Sequence, residues 1–452
     1  MEVLQIETPE LGDRSYLVHD GEVALVIDPQ RDTDRITAVA AGAGVRITHV
    51  AETHIHNDYV TGGFALARAA GASYLVNGDD PVSFERTPVS DGDAVGVGGM
   101  RVRVLATPGH TYTHLAYVVE AGGEVAGVFT GGSLLYGSTG RTDLLGPGDT
   151  PALSRAQWAS ARRLARELPG TAPIFPTHGF GSFCSATQSS ATSSTIGREK
   201  LANPVLTLDE RAYVESLLAG LDAWPAYYAH MAPANLAGPA GPDLSPPRPA
   251  DAAELRRRIE AGEWVVDLRD RIAFAAGYVP GTFSIPLDHR FATYLGWLIP
   301  WGTPLTLLGD TPGQIAQAQR ELARIGIDRL AAAATGRPES WAGDRGVASM
   351  RLAKFGDLAA AVSAGNGRPV VLDVRRLLEW QEGHIAGAVH IPLHELPGRL
   401  AELPPGEVWV HCESGYRSVV ASSMLAARGR RVVGVDDEFA SAAAAGLPLE
   451  HG

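Results

Sequence analysis

The thiol of Cys412 lies where a reactive sulfur is best supported by its neighbours in sequence. It directly follows the run VWVH, which predicts a buried strand, and the later run SVVASSMLAARG predicts a helix. A strand-to-helix loop presents backbone N–H groups and the positive helix end to the sulfur, and both stabilise thiolate and persulfide anions. Arg417 closes the loop and adds a fixed positive charge, so we predict a reactive thiol rather than a buried inert one. The loop residues between them are Glu413, Ser414, Gly415 and Tyr416.

Histidines follow three predicted strand ends in the first half of the chain. They occur in the motifs THIHND, TPGH and PTHG, each beside Gly or Thr. Imidazoles and a carboxylate that converge from loops are the donors of a metal site, whereas a lone histidine is more often structural. The residues concerned are His54, His56, Asp58, His110 and His178.

Composition divides the chain into three folded parts. The segment 232–249 is rich in Pro, Gly and Ala and predicts a semi-rigid linker. Residues 267–287 align without gaps on residues 373–393. The second half therefore carries two copies of one small α/β domain with a parallel sheet, at 250–340 and 350–452.

The first 231 residues have a different pattern, in which short alternating strands are separated by helical stretches. This pattern predicts an α+β domain, so the expected fold class is α/β and α+β multidomain. The formal net charge of −13 argues against nucleic-acid binding. Two cysteines cannot form a disulfide framework, and no signal peptide or membrane span is recognisable. We expect a cytoplasmic protein without a membrane or nucleic-acid partner.

The C-terminal copy resembles the rhodaneses. Its Cys-x-x-x-x-Arg loop and the upstream segment DVRRLLEWQEGHIAGAVHIP are similar to those of that family. The resemblance implies a sulfurtransferase that carries sulfane sulfur on Cys412. Glu413 departs from the basic residue of many members, and this negative charge disfavours thiosulfate as the donor. The copy at 250–340 has the fold signature but no cysteine, which predicts a rhodanese-like domain without transferase activity.

The first 200 residues resemble the metallo-β-lactamase superfamily, whose fold is an αββα sandwich. They are most similar to persulfide dioxygenases and glyoxalase II enzymes, through the histidine motifs, the segment FTGGSLL…GRTD and the segment HGFGSFC. Joined to two rhodanese-like repeats, the chain looks like a persulfide dioxygenase–rhodanese fusion. The resemblance implies oxidation of a low-molecular-weight thiol persulfide, such as a glutathione-like one, to sulfite. Sulfite or another acceptor would then take sulfur from Cys412.

Two positions depart from the family's metal ligands. Tyr59 stands for the last histidine of His-x-His-x-Asp-His, and Gly132 stands for the aspartate of Thr-Gly-Asp. A two-zinc hydrolytic centre would lose ligands at both positions. We therefore predict a mononuclear metal, Fe(II) or alternatively Zn, on three histidines, with two further residues as outer groups or alternative ligands. The predicted ligands are His54, His56 and His110, and the outer residues are Asp58 and His178.

The resemblance also implies residues that contact the substrate. Arg141 matches the family arginine that meets the carboxylate of the substrate thiol, and Asp143 lies beside it. Cys184 follows His178 by six residues, and it either lines the site or is an inert cysteine. Related enzymes are often oligomers, so we expect a homo-oligomer.

Two other functions compete with the dioxygenase interpretation. The first is a rhodanese carried on a scaffold that has lost its metal, because Gly132 cannot be a ligand. The second is a metal-dependent thioester hydrolase, which would need a second metal held by Asp58 and His178 alone.

Overall fold

The structure is a computed structural model that describes residues 1–364 and 369–451. The chain forms two compact units. The first contains Met1–Asp243 together with Arg320–Gly326, and the second contains Leu244–Gln319 and Ile327–Gly452. The expected first domain, 1–231, falls within the first unit. Residues 320–326 follow part of the second unit in the chain but belong to the first, and the composition does not predict this.

The first unit is built on two six-stranded sheets, with strand orders β1-β2-β3-β4-β5-β6 and β12-β11-β10-β9-β8-β7. The strands of the first sheet are β1 Glu2–Thr8, β2 Asp13–His19, β3 Val23–Ile27, β4 Arg46–Ala51, β5 Ser73–Asn77 and β6 Thr87–Val89. The strands of the second are β7 Ala94–Val97, β8 Met100–Ala106, β9 Leu115–Ala121, β10 Glu124–Gly131, β11 Pro173–Pro176 and β12 Ser194–Thr195.

Helices cover the outer faces of both sheets. The helices of this unit are α1 Asp34–Ala43, α2 Gly63–Ala70, α3 Thr150–Glu167, α4 Ile196–Ala202, α5 Pro204–Thr207, α6 Glu210–Gly220 and α7 Tyr228–Ala237. Leu25 and Tyr117 belong to an apolar core shared by the two sheets. Ile36 of α1 and Leu66 of α2 pack on the first sheet, and Leu164 of α3 packs on the second. Burial of these apolar faces on both sides of each sheet gives the predicted αββα sandwich.

The second unit holds two parallel sheets, with orders β14-β13-β15-β16 and β17-β22-β21-β18-β20, and a small β19–β23 pair. Its strands are β13 Trp264–Asp267, β14 Phe283–Ser284, β15 Leu305–Gly309, β16 Ala332–Thr335, β17 Arg351–Ala353, β18 Val370–Asp373, β19 His384–Ile385, β20 Val389–His390, β21 Val408–His411, β22 Val432–Val435 and β23 Leu449–Glu450. The helices that begin in this unit are α8 Ala252–Glu260, α9 Arg271–Ala276, α10 Phe291–Leu298, α11 Pro312–Arg324, α12 Pro338–Ala342, α13 Phe355–Ser363, α14 Leu377–Glu382, α15 Leu396–Arg399 and α16 Tyr416–Ala426.

The two sheets of the second unit repeat the same internal ion pair. Arg269 Nη2 lies 2.6 Å from Asp267 Oδ2, and Arg375 Nη2 lies 2.8 Å from Asp373 Oδ2. Each guanidinium also donates to a glycine carbonyl eight residues further along the chain. These pairs end β13 and β18, which occupy equivalent places in the two strand orders. The repeat found in the sequence is thus a repeat of structure.

The segment expected to be a linker, 232–249, is only partly irregular. Helix α7 extends through Ala237, because Asn235 anchors it by hydrogen bonds to the carbonyls of His56 and Tyr59 and to the N–H of Thr61. Three hydrogen bonds from one buried side chain outweigh the helix-breaking composition, including Pro233 inside the helix. Along the described ranges of the chain, no helix is both long and apolar enough to cross a membrane.

Candidate functional site

The histidines predicted from the three motifs meet at one edge of the sandwich. β3, β4 and β5 run parallel with α1 and α2 as crossovers, and β10 pairs in parallel with β11. The loops after β4, β8 and β11 therefore carry His54, His110 and His178 to the same edge. All three are buried, and their ring centroids are 4.8, 5.1 and 5.5 Å apart. The sequence predicted this convergence.

Hydrogen bonds fix which nitrogen of His54 faces the cluster. Asp28 Oδ2 accepts the hydroxyl hydrogen of Thr53 at 2.7 Å, so Thr53 Oγ1 accepts from His54 Nδ1 at 2.9 Å. The Nε2 lone pair of His54 is then left buried and without a hydrogen-bond partner. A buried imidazole nitrogen without a partner is costly unless it binds something.

The same arrangement occurs at the two other histidines. His110 Nδ1 donates to the carbonyl of Arg141 at 2.6 Å, and His178 Nδ1 lies 2.9 Å from Asp13 Oδ1 and 3.2 Å from Asp58 Oδ2. Both Nε2 atoms are buried and unpartnered. Outer carboxylates and carbonyls that hold Nδ1–H in this way are the usual support of metal-binding histidines.

His56 differs from these three because its Nε2 is already engaged. That nitrogen lies 3.3 Å from Asp28, 3.2 Å from Glu52 and 3.0 Å from the hydroxyl of Tyr59. Only its Nδ1 is unpartnered, at 4.0 Å from Asp58. Tyr59 therefore faces the carboxylate side of His56, and the predicted ligand His56 has one nitrogen left to offer.

Electrostatics separate the histidines into two kinds. Burial and the neighbouring imidazoles hold the pKa of His54 well below its usual range and lower the pKa of His110 to about 3. Burial opposes the charge on His56 as well, but Asp28 and Glu52 raise its pKa to about 10. Asp58 and Asp13 likewise overcome burial and raise the pKa of His178 to about 9. His54 and His110 thus stay neutral and able to ligate at any ordinary pH.

Gly132 sits against the ring of His110. A Cβ added there would lie 2.5 Å from His110 Cδ2 and 2.7 Å from its Cγ. The Gly132 N–H donates to Nε2 of His114, whose Nδ1 contacts Thr107 Oγ1. His110 therefore occupies the space that a side chain at 132 would need. His114 was not predicted, and both its nitrogens are engaged.

The ligand atoms form overlapping groups, each spanning no more than 4.8 Å. One group joins His54, His56 and His178, and another joins His110, His178 and Cys184. The residue common to both is His178, which the sequence analysis gave as an outer group or alternative ligand. Unpartnered buried nitrogens and a buried thiol fit a borderline-soft ion such as Fe(II) or Zn(II).

The predicted substrate arginine is engaged within the chain. Arg141 Nε and Nη2 donate to the two carboxylate oxygens of Asp143 at 2.6 and 2.7 Å. Nη1 donates to the carbonyl of Phe183 and Nη2 also donates to that of Asp222. The structure thus uses the Arg141 guanidinium to hold the loops around Cys184.

A different cation lies beside His178. Arg14 is 8% exposed, its Nη1 is buried without a hydrogen-bond partner, and its guanidinium lies over the ring of Tyr136. Tyr136 also lines a narrow cleft of about 10 Å³, roughly the room of one water, together with Ser138, His178 and Gly179. A Cβ at Gly179 would lie 2.6 Å from Arg14 Nη1. No motif marks Arg14, which is why sequence reasoning missed it.

The Cys412 loop has the predicted strand–loop–helix form. Cys412 follows β21 at once, is 1% exposed, and lies four residues before the start of α16. Gly415 adopts a left-handed conformation with φ of 88°, and a Cβ there would lie 3.1 Å from the Cα of Asp436. Only glycine fits this turn, which brings Cys412 to the amino end of the helix.

The positive charge of Arg417 is paired with the carboxylate of Glu379. Its two terminal nitrogens donate to the two oxygens of Glu379 at 2.6 and 2.5 Å. Burial would raise the pKa of Glu379, but Arg417 holds it at about 2. Glu413 is half exposed and lies 3.6 Å from Arg375. Backbone N–H groups and the helix terminus therefore remain as stabilisers of a sulfur anion at Cys412.

The copy without a cysteine supplies part of the wall of this loop. The ring of Tyr294 in α10 lies 5.4 Å from that of Tyr416, and the guanidinium of Arg290 lies 3.8 Å above the Tyr416 ring. Neither residue belongs to a motif, so neither was predicted.

Comparison with known proteins finds one family match in each unit. Residues 10–178 match the metallo-beta-lactamase superfamily, and residues 356–441 match the rhodanese-like domain. Human mitochondrial persulfide dioxygenase ETHE1 is 28% identical over 205 residues, which cover 44% of this chain and 74% of that protein. Hydroxyacylglutathione hydrolase of Cereibacter sphaeroides is 34% identical over 184 residues, which cover 39% of this chain and 66% of that protein.

A solved structure matches more of the chain. The crystal structure titled metallo-beta-lactamase from Staphylococcus aureus has a TM-score of 0.66 and 28% identity, and covers 75% of this chain and 99% of that one. The first unit holds little more than half of the residues, so the likeness extends into the second unit. These findings confirm the two family resemblances seen in the sequence.

Proposed function

We propose that this chain, which joins a metallo-beta-lactamase superfamily domain to a rhodanese-like domain, is an enzyme of sulfane-sulfur metabolism. It oxidises a low-molecular-weight thiol persulfide to sulfite at a mononuclear metal and carries sulfur on Cys412. The observation that supports this most is the set of unpartnered, buried histidine nitrogens in the same chain as a strand–helix cysteine loop. The persulfide dioxygenase relatives favour the same chemistry.

The metal would be held by the histidine cluster, with His178 added to the predicted set. His54 and His178 offer Nε2, His56 offers Nδ1, and Nε2 of His110 is also free. Iron bound there supplies the chemistry that joins dioxygen to the substrate sulfur. Residues behind the ligands orient them. Asp13 holds Nδ1 of His178, and the Thr53 hydroxyl, which donates to Asp28, accepts the hydrogen of His54 Nδ1.

Arg14 is the residue that we propose for the negative charge of the substrate. Its Nη1 is buried and unpartnered, and its guanidinium lies over the ring of Tyr136, which lines the same cleft as His178. A charged hydrogen bond to an anionic persulfide or carboxylate would be worth about 1.5–3 kcal/mol. Arg14→Met should accordingly raise KM for the persulfide roughly 10–100-fold, with little effect on metal content.

At the second centre, the thiolate of Cys412 takes the outer sulfur of R–S–SH and releases R–S⁻. Sulfite can then attack the Cys412 persulfide, which yields thiosulfate and returns the thiol. Because Glu379 already balances Arg417 and Glu413 adds a negative charge, the loop favours a monoanionic organic persulfide over dianionic thiosulfate as donor.

The test is oxygen uptake by anaerobically iron-loaded protein supplied with glutathione persulfide. We expect uptake matched by sulfite formation and its loss in His54→Ala. Uptake that survives in His54→Ala would contradict the proposed site. No uptake with several thiol persulfides, while Cys412 still transfers sulfur, would leave a rhodanese on a metal-free scaffold. Thioester turnover with two bound zinc ions would instead identify a hydrolase.

A further inference from the structure

We propose that Cys184 is a metal ligand, which joins His110 and His178 as the anionic donor that Gly132 cannot supply. This inference rests on the metal binding of the proposed function, and it changes the charge and softness of that site. Cys184 follows His178 by six residues, on the loop after β11.

The geometry brings the three donor atoms together. The Cys184 sulfur and one nitrogen each of His110 and His178 all lie within 4.8 Å of one another, and all three residues are fully buried. A tetrahedral ion with N at ~2.0 Å and S at ~2.3 Å separates its ligand atoms by about 3.3–3.6 Å. A closure of about 1 Å, within the range of small side-chain rotations, would complete such a set.

Backbone pairing holds the thiol and His110 to the same segment. Arg141 N–H donates to the carbonyl of Cys184 at 2.8 Å, and the carbonyl of Arg141 accepts His110 Nδ1–H at 2.6 Å. The neighbouring pair, Gly140 and Ser185, forms an antiparallel bridge. Arg141 thus positions both residues through its main chain and leaves Nε2 as the free nitrogen of His110.

The charge of a buried divalent ion also favours a thiolate ligand. An imidazole that coordinates a metal through a ring nitrogen brings no charge, so a divalent ion held by histidines alone would keep its full charge in a buried site. The carboxylates of Asp13 and Asp58 lie behind His178, at its Nδ1, and not at the free nitrogen. A thiolate among the ligands brings one negative charge to the ion itself, and a coordinated thiol is deprotonated outright. Nitrogen–sulfur sets also select Fe, Co and Zn over harder ions.

Anaerobic titration of the metal-free full chain with Co²⁺ alone tests this assignment. A thiolate ligand gives an intense near-ultraviolet sulfur-to-cobalt charge-transfer band, which histidine ligands do not give. The chain contains only Cys184 and Cys412, so two single substitutions assign the band. We expect it in the wild type and in Cys412→Ser, and its loss in Cys184→Ser with Co²⁺ affinity at least roughly 10–100-fold weaker.

The outcomes separate the two proposals. A wild type that binds one Co²⁺ without the band, or a Cys184→Ser variant that keeps it, would overturn the ligand role of Cys184 and leave the histidine metal site standing. A wild type that binds no Co²⁺ would overturn both. Since Cys184 is buried, a urea melt of metal-free Cys184→Ser checks that it folds. X-ray absorption of the metal-loaded wild type, which must show one metal–sulfur distance, gives the same answer without any variant.

Discussion

The histidine cluster draws its donors from the loops after β4, β8 and β11, whereas the Cys412 loop takes its thiol and its arginine from one stretch of six residues. In the cluster, each donor is oriented by a partner on another segment, as Asp13 orients His178. In the loop, orientation comes from the local turn at Gly415 and from the terminus of α16.

This difference explains how each centre tolerates change. A centre assembled from several segments can lose one donor and still have a neighbour within reach. Here donor atoms of His178 and Cys184 lie within 4.8 Å of a nitrogen of His110, whose ring lies against Gly132. A centre contained in one loop has no second thiol to use. The metal affinity of the cluster should therefore fall by degrees as single donors are removed, even where oxygen uptake is lost. Sulfur transfer at the Cys412 loop should be lost completely or remain almost unchanged.

The largest effect is expected at the loop. Cys412→Ser removes the atom that accepts sulfur, and no other residue of the loop can form a persulfide. Sulfur transfer from glutathione persulfide to sulfite should vanish, while metal content and oxygen uptake stay at the wild-type level. Thiosulfate formation and oxygen consumption measured on the same sample give both values. A parallel loss of oxygen uptake would show that the two centres are not independent.

At the cluster, Gly132→Ala tests whether His110 fills the space of the absent side chain. The new Cβ would meet the His110 ring at 2.5 Å, so the ring must move away from its bond to the Arg141 carbonyl. We expect a loss of about 1–3 kcal/mol in the free energy of unfolding and weaker metal binding. Urea unfolding and metal titration measure the two effects.

A matched control for this variant is Gly96→Ala, at a position where an added Cβ has open space. Stability and metal affinity that stay at the wild-type level in Gly132→Ala would mean that His110 is not fixed against residue 132. Gly132→Asp is expected to behave like Gly132→Ala, because its carboxylate would have to pass through the same ring.

Much of the fold could be predicted because it depends on periodicity and repetition. Strand and helix patterns predict an α+β domain and the parallel sheets, and the family resemblance implies the αββα sandwich. The Asp-x-Arg repeat marks the same ion pair in both copies. The sequence predicted a linker at 232–249, but residues 232–237 form the end of α7. The cause is Asn235, whose three hydrogen bonds go to residues more than 170 positions earlier in the chain.

The donors of the metal site were predictable as residue types but not as a set. Motifs identified the histidines, yet which nitrogen is free depends on Thr53, Asp28 and the Arg141 carbonyl. Arg141 matched a substrate-binding pattern, but tertiary contacts to Asp143 occupy its guanidinium. Arg14 and Tyr294 belong to no motif, and only packing brings them to the two centres.

An effect that depends on pH is expected at Glu379, the carboxylate that is paired with Arg417. The pKa of Glu379 is about 2 in the folded chain against an ordinary 4.5, so this pair stabilises the fold by about 3 kcal/mol above pH 4.5. That contribution is lost as the pH falls from about 4.5 to about 2. Glu379→Gln should be less stable than the wild type at pH 7, and the difference should shrink towards pH 3. Urea unfolding at both pH values measures it, with the exposed Glu382→Gln on the same helix as control.

The smallest structural effect is expected from Gly309→Cys, which puts a thiol in the copy that lacks one. A Cβ there would lie 3.2 Å from Ile315 Cδ1 and 3.3 Å from Gln314 Oε1, so the fold should lose about 1 kcal/mol. In the Cys412→Ser background this thiol should still transfer no sulfur, because Gln314 Oε1 already accepts the N–H of Asp310, a donor that a sulfur anion would need. Thiosulfate formation by this double variant measures whether the new thiol transfers sulfur. Gln314→Arg, added to that double variant, releases the Asp310 N–H and restores the position that Arg417 holds in the other copy. If sulfur transfer becomes measurable only after this third change, the N–H donors of the loop, and not the thiol alone, account for the difference in activity between the two copies.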